Sequence, residues 1–327
     1  MMRTRTRDPL TLLAALAAAS LCPVTAGAAP ASASMVFTTL GTNSGPIPNA
    51  QRAEPANLIR LGDEAILVDV GDGAGGQLAK AGVTLAQVRT IFISHLHFDH
   101  TGGLFAFLGE RYQARYLDKL TIYGPPGTKQ MVDTLEAAML SGVEVSTTIR
   151  GPTSGSVSDD IKVVEIGDGS KVTIGALTVT AVANSHFATL PPAAPGTTPP
   201  ISLSFRFDAP GRSVVYTGDT GPSENVERLC RGADLLVSEI MDPVAAMEVL
   251  KATRLDVPDR VLKVVEAHFR TEHLAPTEVG VLAQRCEAKA LVLTHYAIAD
   301  DAISAAQAAI AASYKGPITF AKDVDSF

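Results

Sequence analysis

Four metal-seeking side chains, His95, His97, Asp99 and His100, fall within six residues directly after the β-branched, apolar run Val88 to Ile93. That run reads as a buried strand, so the ligands begin where a strand ends. In an extended segment the side chains at i and i+2 share a face, and His95 and His97 can therefore offer two imidazoles to one ion. Gly102-Gly103 allows the chain to turn, which swings Asp99 and His100 toward a second position, and Leu104 to Leu108 reads as the start of a helix. A solvated polar loop is a poor account of the cluster. Ile91, Phe92, Ile93, Leu96 and Phe98 imply burial, where unpaired ionisable groups are costly. One segment supplies half the ligands of a two-metal site, and the rest of the fold must bring the other half to the same rim.

Strand-like runs recur at 36–40, 57–61, 65–70, 90–94, 120–123, 161–166, 177–183, 202–208, 213–217, 235–239 and 290–294. Helical patterns fall between them at 77–81, 128–140, 223–231, 244–251, 259–270, 276–288 and 302–313,. This alternation predicts an α/β chain, an αββα sandwich of two mixed β-sheets flanked by helices. Gly142 to Asp160 and Leu190 to Pro200 read as loops, the second with five prolines,. Ligand candidates lie on both sides of each, so residues 35–327 are expected to form one domain.

The N-terminus has its own signature. Arg3, Arg5 and Arg7 precede the apolar run Leu10 to Leu21, and the small residues Ala26 to Ala29 follow, which predicts a signal peptide over residues 1–28 and a periplasmic or secreted location. The run is shorter than the roughly 20 residues of a membrane span. Ala19-Ser20-Leu21 before Cys22 does not suit lipid attachment, and no Arg-Arg pair marks a twin-arginine signal,. Removing residues 1–28 takes away three arginines and one aspartate, so a formal charge of −7 becomes −9. Acidity of this size argues against a polyanion partner. Cys230 and Cys286 then remain, either as a disulfide or as two separate buried thiols.

Three further ligands complete the set. His186 follows the run 177–183, Asp219 follows Val214-Val215, and His295 follows Ala290 to Val292. Each stands at the end of a hydrophobic strand, and strand ends on one side of a sheet gather at one rim. With these motifs the chain resembles the metallo-β-lactamase superfamily, whose His-x-His-x-Asp-His pattern is matched by His95, His97, Asp99 and His100. The resemblance implies that His95, His97 and His186 hold one metal, Asp99, His100 and His295 the other, and that Asp219 bridges them. Imidazoles and carboxylates suit zinc, and two ions roughly 3.5 to 4 Å apart can activate one water and stabilise both oxygens of a displacement. Redox members of the superfamily usually carry Glu where this chain has His97, so the resemblance implies two zinc ions rather than two irons.

Leu40 to Pro46, Leu67 to Gly73, Ala233 to Glu239 and His273 to Glu278 are similar to the tRNase Z-like branch. That resemblance assigns His273 as general acid, oriented by Glu239, and Asp99, His273 and Glu239 are the candidate catalytic side chains. His268 competes with His273, but its place in the helical run 259–270 reads as an ordinary helix position. Asp69 reads as a residue that ties the metal loop through hydrogen bonds. The tRNA-processing members carry a basic arm, usually inserted between the third His and the bridging Asp, whereas Phe187 to Gly218 holds a proline-rich loop and no lysine. The expectation is therefore an exported zinc hydrolase of small phosphate or sulfate esters, with no nucleic-acid partner and no membrane association after signal removal. Lactonase or β-lactamase chemistry is the alternative, ahead of tRNA processing and di-iron redox chemistry. The sequence leaves a homodimer open.

Overall fold

A strand buried on both faces reads as near-continuous apolar sequence, as in Ala65-Ile66-Leu67-Val68,. The computed structural model describes residues 34–116, 118–145, 160–253 and 256–327; the expected signal peptide and most of the loop 142–160 lie outside them. The first half of the chain forms β1 (Val36–Gly41), β2 (Ala56–Leu61), β3 (Glu64–Val70), β4 (Val88–Phe92), β5 (Leu120–Gly124) and β6 (Ile161–Glu165). The second half forms β7 (Lys171–Ile174), β8 (Leu177–Ala183), β9 (Leu203–Ala209), β10 (Arg212–Tyr216), β11 (Leu235–Met241), β12 (Leu291–Ala297) and β13 (Ile318–Phe320), and β14 (Asp325–Ser326) returns to pair with β1. One seven-stranded sheet runs β14-β1-β2-β3-β4-β5-β6 and the other β13-β12-β11-β10-β9-β8-β7. Each is antiparallel in one half and parallel in the other.

The two faces of β3 bury different neighbours. Ala65 and Leu67 point to an outer layer with Leu78, Leu104, Phe107 and Val132, while Ile66 and Val68 point between the sheets toward Phe205, Phe207 and Val237. Helices α1 (Ala74–Lys80), α2 (Phe98–Thr101), α3 (Leu104–Gln113) and α4 (Thr128–Val145) belong to the first half, and α1, α3 and α4 supply that outer layer. The second half carries α5 (Glu224–Leu229), α6 (Pro243–Thr253), α7 (Asp259–Thr271), α8 (Pro276–Arg285) and α9 (Ile303–Ser313), of which α5, α8 and α9 cover the second sheet. Three apolar layers separate four layers of structure, as the strand and helix pattern predicts. Between the sheets Phe92 anchors an aromatic cluster, stacked on Tyr123 at 4.9 Å and edge-on to Phe205 at 5.5 Å, a geometry favoured beyond simple burial. Cys230 and Cys286 form a disulfide with Cα atoms 5.2 Å apart, which joins the ends of α5 and α8 inside the outer layer.

Several boundaries differ from the sequence reading. Helix α1 starts at Ala74 despite Gly75-Gly76, because packing of Ala74 and Leu78 in the core overrides glycine's weak helix propensity,. Strands β7, β13 and β14 are missed by periodicity, each having four residues or fewer. Strand β12 continues past Thr294 to Ala297, and its register with β11 shifts between Ser238 and Ile240. That irregularity re-aims Glu239 and His295, and His295 takes a left-handed φ of 43°. Among the described residues no helix is long and apolar enough to cross a membrane.

Candidate metal centre

Strands β8, β10, β11 and β12 run in one direction, because β8 and β10 are both antiparallel to β9 while β10, β11 and β12 are mutually parallel. Their C-terminal ends form one rim, where they meet the end of β4. His95 leaves β4, His97 precedes the single turn α2, and Asp99 and His100 lie in it. His186 follows β8, Asp219 follows β10, and His295 lies within β12. Gly45 makes room for this loop, since a Cβ there would fall 2.1 Å from Cβ of Asp99.

The seven side chains sort into two sets that share one carboxylate. His97 Nδ1 stands 3.0 Å from His95 Nε2 and 3.2 Å from His186 Nε2. Tetrahedral zinc holds nitrogens at about 2.0–2.1 Å, which sets their mutual separation at about 3.3 Å. In the second set His100 Nε2 lies 3.6 Å from Asp99 Oδ2 and 3.2 Å from Asp219 Oδ1, while His295 Nε2 lies 3.3 and 3.4 Å from the same two oxygens. The other oxygen of Asp219, Oδ2, faces the first set, 3.8 Å from His95 Nε2 and 3.9 Å from His186 Nε2. His100 Nε2 and Asp219 Oδ1 are buried without a hydrogen-bond partner, although buried polar atoms are normally satisfied. Donor types, spacing and these orphaned atoms all fit divalent ions.

Neighbouring groups fix which nitrogen each ring presents. Asp69, fully buried, accepts from Ser94 N at 2.7 Å, Ser94 Oγ at 2.8 Å, His100 Nδ1 at 2.8 Å and Tyr216 OH at 3.0 Å. It thereby leaves His100 Nε2 for an ion, the orienting role the sequence suggests. Backbone O of Glu272 accepts from His186 Nδ1 at 3.0 Å, and this frees His186 Nε2 in the same way. Replacing Asp69 by Asn places an amide against four donors, and a competition titration with a zinc chelator is expected to show roughly 10- to 100-fold weaker binding at the second set; an unchanged affinity would remove the orienting role.

Electrostatics divide the sets as geometry does. Burial holds His95 well below its ordinary value, lowers His97, and brings His186 down to about 3, so these rings present lone pairs. In the second set burial opposes charge, but Asp219 and Asp99 outweigh it, raising His100 strongly and His295 to about 9. Burial likewise raises Asp99, yet His100 and His295 bring it to about 2. The carboxylates thus create a demand for positive charge that a divalent ion meets with release of protons.

His273 sits over both sets, its ring 4.9 Å from that of His186 and stacked 6.2 Å from that of His295. Its Nδ1 meets Glu239 Oε2 at 2.7 Å, while Thr220 N donates to Glu239 Oε1 at 2.6 Å. Burial lowers His273 to about 4, and burial together with Asp219 raises Glu239 well above its ordinary value. Both shifts keep the pair neutral as a unit with one proton to place between them.

Other residues join the site beyond those the sequence assigned to it. His268, read as an ordinary helix residue, reaches the wall beside His186 and His273 from the last turn of α7. Glu272 accepts from His268 Nδ1 and from Thr189. Glu54 is buried, gives one oxygen to Asn43 Nδ2 at 3.3 Å and leaves the other unpartnered; burial and then Asp99 raise its carboxyl.

Residues 64–296 match the family described as the β-lactamase superfamily domain. The chain belongs to this superfamily. Among relatives of this superfamily member, Ribonuclease Z of Mycobacterium sp. strain KMS is 32% identical over 261 residues, covering 79% of this chain and 83% of that protein. Ribonuclease Z of Mycobacterium bovis BCG Pasteur 1173P2 is 29% identical over 263 residues, 80% of this chain and 85% of that protein. The metallo-β-lactamase fold protein YhfI from Bacillus subtilis superposes with a TM-score of 0.65 at 20% identity, covering 90% of this chain and 98% of that one. The human short-form tRNase Z gives 0.60 at 23% identity, with coverage of 89% and 98%. The protein is a superfamily hydrolase whose fold presents candidate metal-binding clusters.

These relatives correct two expectations. Small phosphate or sulfate esters as substrate, and the exclusion of nucleic acid as partner, are both overturned by ribonuclease Z relatives matched over about four-fifths of the chain. The physical reason is one of scale. Net charge describes the whole surface, whereas the matched residues 64–296 include all seven candidate ligands.

Proposed function

We propose that the protein is a ribonuclease Z-like hydrolase of phosphodiester bonds in RNA, using two zinc ions. The observation that carries this reading is the 32% identity to a ribonuclease Z over 79% of the chain. The joined geometry of two ligand sets around Asp219, with His273–Glu239 above them, supports it. His95, His97 and His186 would hold one ion, Asp99, His100 and His295 the other, and Asp219 both; when bound, the ions supply an activated water and neutralise charge on the phosphate. Asp69 and Glu272 keep the imidazoles aimed. His273 stands where a leaving sugar oxygen needs a proton, and Glu239 Oε2 at Nδ1 holds that proton on the pair until it is delivered. Residues 1–28 as a signal peptide, together with the paired Cys230 and Cys286, support a periplasmic or secreted location.

Water attack leaves a terminal phosphate monoester, whereas attack by a ribose 2′-hydroxyl leaves a 2′,3′-cyclic phosphate. A tRNA bearing a 3′ extension, incubated with the zinc-loaded protein, is expected to give fragments with monoester and hydroxyl ends, and chelator is expected to stop the reaction. Intact RNA at stoichiometric protein, or cyclic phosphate ends, would contradict the proposal.

A further inference from the structure

The last turn of α7 brings a second imidazole to the wall that carries His273. The His268 ring lies 5.2 Å from that of His273 and 5.4 Å from that of His186, and one nitrogen from each of the three lies within 4.8 Å of the others. His268 Nδ1 meets Glu272 Oε2. Glu272 is 2% exposed and is fixed from its other side, where Thr189 donates to Oε1 from its backbone N at 2.6 Å and from its hydroxyl. The same residue orients His186 through its backbone oxygen. Burying a carboxylate has a cost, and Glu272 bears it while also holding Thr189 and His186. Stability alone therefore gives no reason to hold a part-exposed histidine in this way.

The hydrogen bonds also fix the free nitrogen. With the Nδ1 proton directed at the carboxylate, the neutral ring carries its lone pair on Nε2. Nε2 has no hydrogen bond among the described residues, on a side chain 29% exposed. In that tautomer it is an acceptor beside the site proposed above to take a phosphate group.

We propose that His268 is a specificity-determining residue that reads ribose, its Nε2 accepting a hydrogen bond from the 2′-hydroxyl vicinal to the phosphate beside the ion that His186 would hold, with Glu272 as its positioning residue. The 2′-hydroxyl is the group by which a protein tells RNA from DNA. A site built around such a bond rejects the analogue that lacks it, because the acceptor is then left unpaired. The role rests on the RNA reading above, but its test does not require turnover.

Calorimetric titration of the zinc-loaded protein with adenosine 3′-monophosphate and 2′-deoxyadenosine 3′-monophosphate measures the discrimination directly. The ribonucleotide is expected to bind about 10-fold tighter. His268→Ala is expected to bring it down to the deoxynucleotide's affinity while leaving zinc content and deoxynucleotide binding unchanged. His268→Gln, which retains an acceptor, is expected to recover part of the difference. Equal binding of both nucleotides by the native protein, or a preference that survives in His268→Ala, would overturn the proposal. Failure of RNA cleavage alone would count against the ribonuclease reading and not against this one.

Discussion

Asp219→Ala is expected to lose both metal sets at once. Its two oxygens face different clusters, Oδ1 at 3.2 and 3.4 Å from His100 and His295, Oδ2 at 3.8 and 3.9 Å from His95 and His186. Removing any other ligand weakens one set, whereas this change removes the carboxylate that, among the described residues, is common to both and leaves five imidazoles clustered without it. Zinc content is expected to fall from two per chain to less than one, and turnover by roughly 10⁴-fold or more, since water activation and leaving-group stabilisation fail together. Elemental analysis alongside a thermal melt separates loss of metal from loss of fold. A variant that folds, retains two zinc ions and turns over would show that Asp219 does not bridge.

His273→Ala is expected to have the second-largest effect by a different route. The ring touches His186 and His295 but supplies no atom to either ligand set, so zinc content is expected to stay at the native value. Turnover of RNA, whose leaving group is a poor sugar alkoxide, is expected to fall by roughly 10²- to 10⁴-fold, the usual contribution of a placed general acid. Glu239→Gln is expected to follow in the same direction with a smaller loss, because the amide still meets Nδ1 but cannot supply the proton. A phosphodiester with an activated leaving group is the internal control, and equal losses on both substrates would remove the general-acid role.

Most of the metal centre was legible before the fold was known. His95 and His97 alternate out of an apolar strand, and His186 and Asp219 each follow a β-run; these strand ends suggest a shared rim, and the superfamily resemblance joins them into one ligand set. His295 was legible as a ligand candidate but not as a strand residue, because the irregular register between β11 and β12 is a pairing property that no local pattern encodes. The first sheet was legible for a related reason: β3 buries both faces and carries the apolar run Ala65 to Val68.

His268 competes with His273 in the sequence and is set aside there because of its helix. Residues 259–270 carry an amphipathic period that explains each position locally, and only tertiary packing brings the last turn against His186 and Thr189. Glu54 carries no motif either, and its burial beside Asp99 follows from the approach of the loop before β2. The substrate was misjudged because charge was summed over the chain. A formal charge of −7 is spread over 327 residues, whereas a substrate meets only the few side chains around the candidate metal clusters, where bound cations would offset the acidic ligands.

The most direct test of the account is a zinc titration of the chelator-stripped protein, read by cleavage of a 3′-extended tRNA. Activity is expected to rise with added zinc and to level off at two equivalents per chain, in step with the bound metal. Cleavage by the stripped protein, or no cleavage when two equivalents are bound, would contradict it.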